Sequence, residues 1–319
     1  MTLHISAAPL QQNNEREHVG GVRLLEPVGV AGYVQELSHI QLYQQEAIGF
    51  ITLHRPERLN ALDVIMAQDL YHVARQYAQD ETIRVIVLQS TGKVFCSGAD
   101  LKYIRATGEV YGTGTGSINA HHTKPYGRYG WPFEQIVGDI HRTICEFRRA
   151  PKPVIAAVDG AAAAGGLGLA LSADLVVASA RSTFEYAYFK TALTGAEGTT
   201  FFLPKLVGLR RALELALLNR RLTAAEAHTL GLISVVYETD GFAEHVRTLA
   251  QQLAEGPTHA YADAKRLMTD AIGAERLAEH LEHELAALTR AADSSDFAEG
   301  LTAFFEKRSP QFQGARERN

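Results

Sequence analysis

Residues 150–174 read APKPVIAAVDGAAAAGGLGLALSAD, and this small-residue stretch constrains the fold more than any other part of the chain. The apolar run Val154–Val158 predicts a buried strand, Asp159-Gly160 predicts a turn, and Leu167–Ala173 predicts a helix. A strand, a glycine-rich turn and a helix start leave backbone N–H groups without intrahelical acceptors. Such amides can bind a developing negative charge. A tight packing turn between strand and helix is the alternative interpretation of the same residues.

A second stretch, residues 84–102, has the same organisation. Its sequence is RVIVLQSTGKVFCSGADLK, in which Val85–Leu88 predicts a strand that runs toward a small-residue turn at Ser97–Ala99. Asp100 precedes a helical pattern, and a carboxylate there favours the positive end of the helix dipole. The chain therefore has two places where a turn exposes backbone amides.

Other elements carry clear local signals. The runs on either side of Ala47 predict a hairpin, and Asp63 predicts the N-cap of a helix over Val64–Gln79. Thr223 followed by Glu226 predicts a capping box. Residues 107–132 are rich in Gly and Tyr without a period, which predicts a long loop.

Together with ITLHRPERLNAL at 51–62, the two turn-bearing stretches resemble the enoyl-CoA hydratase/isomerase (crotonase) superfamily. The resemblance covers roughly residues 38–313 in the family's order and spacing. It implies an α/β crotonase (ClpP/crotonase-like) fold of repeated β-β-α turns with a C-terminal helical trimerisation region. The corresponding division is an N-terminal extension (1–37), a core domain (38–240) and a helical region (241–319).

The resemblance also implies site residues. In the family two backbone N–H groups form an oxyanion hole for an acyl-CoA thioester, and they match those of Ala99 and Gly165. Arg58, Lys102 and Lys307 match positions near the CoA phosphates, although each is also interpretable as an ordinary surface residue. Family members assemble as trimers or as dimers of trimers, so a homotrimer or homohexamer is expected.

The hydratases of the family that this chain resembles use two glutamates, and the resemblance implies that this chain has neither. The matching positions are occupied by Gly168 and Tyr188, and neither side chain can act as a carboxylate base. Tyr188 could donate a hydrogen bond, orient a water or form a pocket wall.

The run from His141 to Ala187 resembles the 4-chlorobenzoyl-CoA dehalogenase branch, which implies that His141 is a general base. The nucleophilic Asp of that branch matches Ala196, and Glu197 follows one residue later. Isomerase branches use one carboxylate in this loop. Glu197 could therefore shuttle a proton between carbons of an acyl group if burial raises its pKa. A surface-loop glutamate is the alternative.

Composition narrows the function classes further. The 319 residues carry a net charge of −5, which gives no electrostatic footprint for nucleic acid, and no apolar run is long enough for a membrane helix. The two cysteines, Cys96 and Cys145, fit a reducing compartment, so a cytoplasmic protein is expected. His121-His122 has no ligand partner at metal spacing, and we expect neither a metal nor a permanently bound cofactor; CoA would arrive with the substrate.

The sequence thus predicts an acyl-CoA-transforming lyase or isomerase that stabilises a thioester enolate. The alternatives are a β-diketone C–C hydrolase that does not use CoA and a non-catalytic oligomer with the same fold. Tyr126, Tyr129 and Trp131 are candidates for the acyl-pocket wall.

Overall fold

The structure is a computed structural model, and it describes residues 33–112, 127–273 and 276–313. Its strands lie in two sheets. The strands are β1 (Tyr33–Glu36), β2 (Ile40–Gln45), β3 (Ile48–Leu53), β4 (Val85–Ser90), β5 (Val94–Cys96), β6 (Val154–Val158), β7 (Ala161–Ala163), β8 (Leu175–Ser179), β9 (Thr183–Glu185), β10 (Arg221–Thr223) and β11 (Val235–Tyr237). The larger sheet has the order β1-β2-β3-β4-β6-β8-β11, and the smaller one β10-β9-β7-β5.

The helices cover the sheets and form the C-terminal part of the described chain. They are α1 (Val64–Gln79), α2 (Leu101–Gly112), α3 (Gly130–Arg149), α4 (Gly165–Leu171), α5 (Thr199–Val207), α6 (Leu209–Leu217), α7 (Ala224–Thr229), α8 (Phe242–Glu255), α9 (Thr258–Ala271), α10 (Leu277–Ala292) and α11 (Ser295–Glu306). None of the described helices combines the length and the apolarity that a bilayer span requires.

The chain repeats a strand-strand-helix unit. In each unit the first strand (β4, β6 or β8) joins the larger sheet in parallel, and the second (β5, β7 or β9) joins the smaller sheet. Helices α2 and α4 follow the first two units. The repeated β-β-α turns predicted from the sequence are therefore present. Their stacking places the turns after β5 and β7 side by side, because these two strands are paired.

Local sequence signals agree with the structure where contacts between nearby residues determine the start of a helix. The Asp63 carboxylate accepts the N–H of Met66 at 2.9 Å and begins α1 as predicted. The capping box of Thr223 and Glu226 is complete. The predicted strand over 232–236 is instead Val235–Tyr237, and β1 lies within the segment assigned to the N-terminal extension.

The predicted loop over 107–132 is wrong at both ends. Helix α2 continues to Gly112, and α3 begins at Gly130. The Asp293 carboxylate explains the second difference, because it accepts the N–H of Gly127, Tyr129 and Gly130 at 2.7–2.9 Å and so caps the start of α3. That contact links residues far apart in sequence, and a local pattern cannot show it. Tyr126 and His121-His122 lie outside the described residues.

The core extends across the boundary proposed near residue 240. Strand residues alternate, so Ile86 and Leu88 face one side of the sheet and Val85 and Val87 the other. The first side packs against helices that include α1, α3, α10 and α11, and the second packs against α8. The C-terminal helices thus complete the same core that the sheet begins.

Candidate active site

The turns after β5 and β7 are in close contact. A Cβ on Gly98 would lie 2.9 Å from the Ala164 Cβ and 3.1 Å from the Gly165 nitrogen. A Cβ on Gly166 would lie 2.2 Å from the Cys96 carbonyl oxygen. Gly98 also has a φ of +88°, which favours glycine. Only glycines at these positions allow the two turns to approach so closely.

The Ala99 and Gly165 amides are the ones that the resemblance implies for an oxyanion hole. The Leu62 N–H donates to the Gly98 carbonyl, and the Leu62 carbonyl accepts the N–H of Asp100, both at 2.8 Å. These two bonds flank Ala99, so its own N–H points away from Leu62, as in a parallel bridge. Among the described residues, neither the Ala99 N–H nor the Gly165 N–H has a hydrogen-bond acceptor.

Two residues beside these amides have unusual backbone conformations. Ala164, directly before Gly165, has φ +47° and ψ −120°, and Glu197 has φ +51°. A residue with a side chain in these regions costs on the order of 1–3 kcal/mol and persists only where its surroundings enforce it. Nine described residues other than glycine have a positive φ, and Ala164 and Glu197 are the two that lie beside these amides.

Glu197 is buried beside the Gly165 amide. Its side chain approaches so closely that a Cβ on Gly165 would lie 2.9 Å from Glu197 Oε1. The residue is only 2% exposed, which rules out the surface-loop interpretation. Burial raises the pKa of Glu197 to about 8; the Tyr188 hydrogen bond opposes this shift and the charge of Glu284 reinforces it.

Tyr188 completes a buried polar pair with Glu197. Its hydroxyl makes a short hydrogen bond with Glu197 Oε2 and also lies 3.0 Å from the Ala196 carbonyl oxygen. One phenolic proton cannot serve both acceptors. When Glu197 is protonated, its carboxyl donates to the Tyr188 oxygen and the Tyr188 hydroxyl donates to Ala196, so every group has a partner.

Gly168, which the resemblance places at a glutamate position of the hydratases, has no room for a side chain. A Cβ at this position would lie 2.1 Å from the carbonyl oxygen of Glu197 and 2.8 Å from its Cβ. The backbone of residue 197 therefore occupies the space into which a side chain on Gly168 would extend. A glutamate at residue 168 and the observed position of Glu197 exclude each other.

His141, the predicted general base, lies on α3 and is buried. Its Nε2 accepts the Glu197 N–H at 3.1 Å and lies 3.5 Å from Glu284 Oε2. A neutral ring with its proton on Nδ1 makes the first contact, whereas a proton on Nε2 would point toward Glu284. In both contacts the Nε2 atom faces another group of the protein. The role of His141 as a general base stays a prediction.

Glu284 was not identified from the sequence. Its carboxylate accepts the N–H of Gly198 at 2.8 Å and of Thr200 at 3.0 Å, directly after Glu197. One signal was available. Leu277, Leu281 and Leu288 form the buried stripe of α10, and Glu284 falls in that stripe at helical spacing. A carboxylate at such a position requires buried partners.

The three predicted phosphate contacts differ in their surroundings. Arg58 is half-buried and makes a bidentate ion pair with Asp100, whose Oδ1 also accepts the N–H of Lys102 at 3.0 Å. Lys102 is exposed at the start of α2, and Lys307 is exposed at the end of α11. The roles of Arg58, Lys102 and Lys307 stay predictions.

The structure separates the two described aromatic candidates for the pocket wall. Tyr129 is buried, and its ring meets that of Phe297 edge to face at 5.3 Å. It is therefore a core residue beneath α11. Trp131 is partly buried in the first turn of α3.

Solved structures with the same fold define the class of protein to which this chain belongs. It superimposes on the crystal structure of an enoyl-CoA hydratase from Mycobacterium avium subsp. paratuberculosis K-10 with a TM-score of 0.74 and 28% identity. The match covers 87% of this chain and all of that one. This agreement confirms the predicted crotonase-type α/β fold.

Sequence comparison identifies the family. Residues 43–124 and 137–316 match the model of the enoyl-CoA hydratase/isomerase family, and the chain belongs to that family. It is 34% identical over 278 residues to the 1,2-epoxyphenylacetyl-CoA isomerase of Escherichia coli K12, covering 87% of this chain and 98% of that protein. It is 30% identical over 269 residues to a 4-chlorobenzoyl-CoA dehalogenase of an Arthrobacter species, covering 84% and 91%. The predicted family and the similarity to the dehalogenase branch are therefore confirmed.

Proposed function

We propose that this enzyme transfers a proton at the α-carbon of an acyl-CoA thioester through an enolate, with Glu197 as the proton carrier. The observation that carries the proposal is the buried Glu197 carboxyl beside the Gly165 amide. A pKa of about 8 suits this task, because a group that titrates near the working pH can both accept and return a proton.

The chemical steps follow from this placement. The ionised carboxylate of Glu197 takes a proton from the α-carbon, and the electron pair of that C–H bond moves into the thioester carbonyl. The resulting enolate oxygen accepts the N–H groups of Ala99 and Gly165. Oriented donors of this kind contribute roughly 3–4 kcal/mol each in other enzymes. Glu197 then returns the proton to the α-carbon or to the γ-carbon, and the second outcome moves a double bond.

The side chains favour isomerisation over hydration and over nucleophilic displacement. Hydration in the family's usual form requires a second carboxylate, and Gly168 has no room for one. Displacement in the dehalogenase manner would need a carboxylate at residue 196, which is alanine. A single carboxyl that holds one proton suits a 1,3-proton shift.

Phosphate contacts from Arg58, Lys102 and Lys307 would hold the CoA portion. Arg105 on α2 lies over the Phe305 ring at 3.7 Å, which joins the end of α11 to the helix that begins near Lys102. This contact supports placing Lys307 near Lys102. Assembly as a homotrimer or homohexamer stays part of the proposal.

The test measures α-proton exchange, which reports enolate formation whatever reaction follows. Phenylacetyl-CoA is a suitable probe, because one relative is named for an aromatic acetyl thioester. In D₂O we expect the wild-type enzyme to exchange the α-protons, as followed by mass spectrometry. Glu197→Gln should exchange them at least about 100-fold more slowly, because an amide cannot act as the base. The exposed Glu282→Gln variant is the matched control.

The alternatives predict different outcomes. If Glu197→Gln exchanged α-protons at the wild-type rate, Glu197 would be excluded as the proton carrier. A non-catalytic member of the fold would exchange no α-protons at all. A β-diketone hydrolase that does not use CoA would show no rise in melting temperature when CoA is added, whereas a ligand that binds the native state raises it.

A further inference from the structure

Glu284 binds the loop that presents the proposed proton carrier. Its side chain is only 3% exposed, on the face of α10 that packs toward α3 and α5. One carboxylate oxygen accepts the N–H of Gly198, and the other accepts the N–H and the hydroxyl of Thr200. Each oxygen therefore holds a different point of the turn that follows Glu197.

The Thr199 N–H closes this turn on the Ala196 carbonyl at 3.0 Å, and contacts from distant elements add to that local bond. Glu197 and Gly198 have φ values of +51° and +74°, so two successive residues lie in the left-handed region. Glu197 pays a conformational cost there because it has a side chain. Its own N–H bonds to His141, and the N–H groups of residues 198 and 200 bond to Glu284. Side chains from α3 and α10 thus enforce the conformation.

We infer that Glu284 is a positioning residue, which holds the 197–200 turn through two backbone amides and places a second buried carboxyl next to the turn that carries Glu197. The inference rests on the proposed function of Glu197, and it concerns a residue that does not touch the substrate. It assigns different duties to the two buried carboxylates: one is ionised and fixed, and the other carries the proton.

The electrostatic surroundings agree with this division. Burial alone would raise the pKa of Glu284, but the nearby His141 and His280 rings and the hydrogen bond from the Thr200 hydroxyl outweigh it and lower that pKa to about 2. The same negative charge helps to raise the pKa of Glu197. Separation of two neighbouring carboxyl pKa values by their surroundings is characteristic of acid and base pairs with distinct roles. The titratable groups that face the pair are His141 on α3, His280 on α10, Cys96 on β5, and Tyr186 and Tyr188 after β9.

Two substitutions at Glu284 test the charge and the length of its side chain separately. Glu284→Gln keeps the length but removes the charge, and its amide nitrogen cannot accept an N–H. Glu284→Asp keeps the charge but is too short to reach both amides. The exposed Glu282→Gln on the same helix is the matched control. All are assayed by the exchange of phenylacetyl-CoA α-protons as a function of pH.

We expect Glu284→Gln to lower kcat roughly 10- to 100-fold with little change in KM, because a displaced catalytic group costs rate more than binding. The pH at which its exchange rate increases should be lower than in the wild type, because loss of the charge lowers the pKa of Glu197. Glu284→Asp should lower kcat while the rise stays near its wild-type pH. A residue that only supported the fold would lower the melting temperature without moving the pH profile.

A folded Glu284→Gln enzyme with wild-type kcat and pH profile would overturn the inference. Should that variant fail to fold, Glu284→Asp decides, and an unchanged kcat there overturns it equally. Loss of exchange in Glu197→Gln together with wild-type behaviour in both Glu284 variants would reject only the positioning role. Full exchange by Glu197→Gln would instead reject the proposed function itself.

Discussion

At the scale of single residues, the site depends on how one buried proton is shared. The Glu197 carboxyl lies between the Tyr188 hydroxyl, which stabilises its charged form, and the Glu284 carboxylate, which destabilises it. The sequence could name Glu197 and Tyr188 as candidates, but it could not tell whether they touch. Their contact spans nine positions across a 3-10 turn and an irregular loop, for which no regular spacing exists.

Removal of the Tyr188 hydroxyl should raise the pKa of Glu197, because the hydrogen bond that stabilises the carboxylate is lost. Glu197 must be ionised to accept a proton. The pH at which the exchange rate with phenylacetyl-CoA increases should therefore be higher in Tyr188→Phe than in the wild type. The pH dependence of kcat/KM measures this shift.

Tyr186→Phe is the control for that experiment. The Tyr186 hydroxyl donates to the Thr194 carbonyl at 3.2 Å and is a neighbour of the pair rather than a member. Its pH profile should stay close to that of the wild type. A Tyr188→Phe profile that shifts toward lower pH would contradict the assigned hydrogen bond.

At the scale of elements, the site is formed where α4 meets two turns and the N-terminus of α5. Glycines in and beside α4 permit these approaches: Gly165 lies beside the Glu197 carboxyl, Gly166 beside the Cys96 carbonyl and Gly168 beside the Glu197 carbonyl. The small-residue pattern of 150–174 predicted a turn with exposed backbone amides, or alternatively a tight packing turn between strand and helix. It did not identify what approaches, because the neighbours come from β5 and from the turn before α5.

Gly168→Ala should destabilise the protein by about 1–3 kcal/mol, because its Cβ would overlap a backbone oxygen that cannot rotate away. It should also slow α-proton exchange, since the turn that carries Glu197 must shift. Urea unfolding measures the free energy change, and the exchange assay measures the displacement.

Gly138→Ala on α3 provides the comparison, because a Cβ there has no heavy atom within 4 Å. Replacing glycine by alanine inside a helix at such a site stabilises by about 0.5–1 kcal/mol. Equal effects of the two substitutions would argue against the close approach at Gly168.

At the scale of the whole molecule, the sheets and the C-terminal helices share one hydrophobic core. Leu281 and Leu288 of α10 and Phe297 and Leu301 of α11 are buried in the same cluster as Leu88 of β4. The division at residues 240 and 241 therefore marks a change in sequence pattern, and we propose that the two parts unfold together.

Urea unfolding should follow a single transition at a fixed chain concentration. Fluorescence of Trp131, the only tryptophan, reports on α3, while far-UV circular dichroism reports on all helices. Both signals should give the same midpoint, as expected for a cooperative unit. Two separated midpoints would show that the C-terminal helices form a domain of their own.

The sequence by itself determined the family, the repeated β-β-α architecture and the local starts of helices. The family and the architecture follow from the resemblance of whole stretches to known members, whereas the helix starts follow from capping residues, which act over a few positions. Tertiary structure alone decided that Glu197 is buried beside Gly165 and that Glu284 holds its loop. Those contacts join residues 32 and 86 positions apart, so that desolvation and charge at the site depend on how the elements pack.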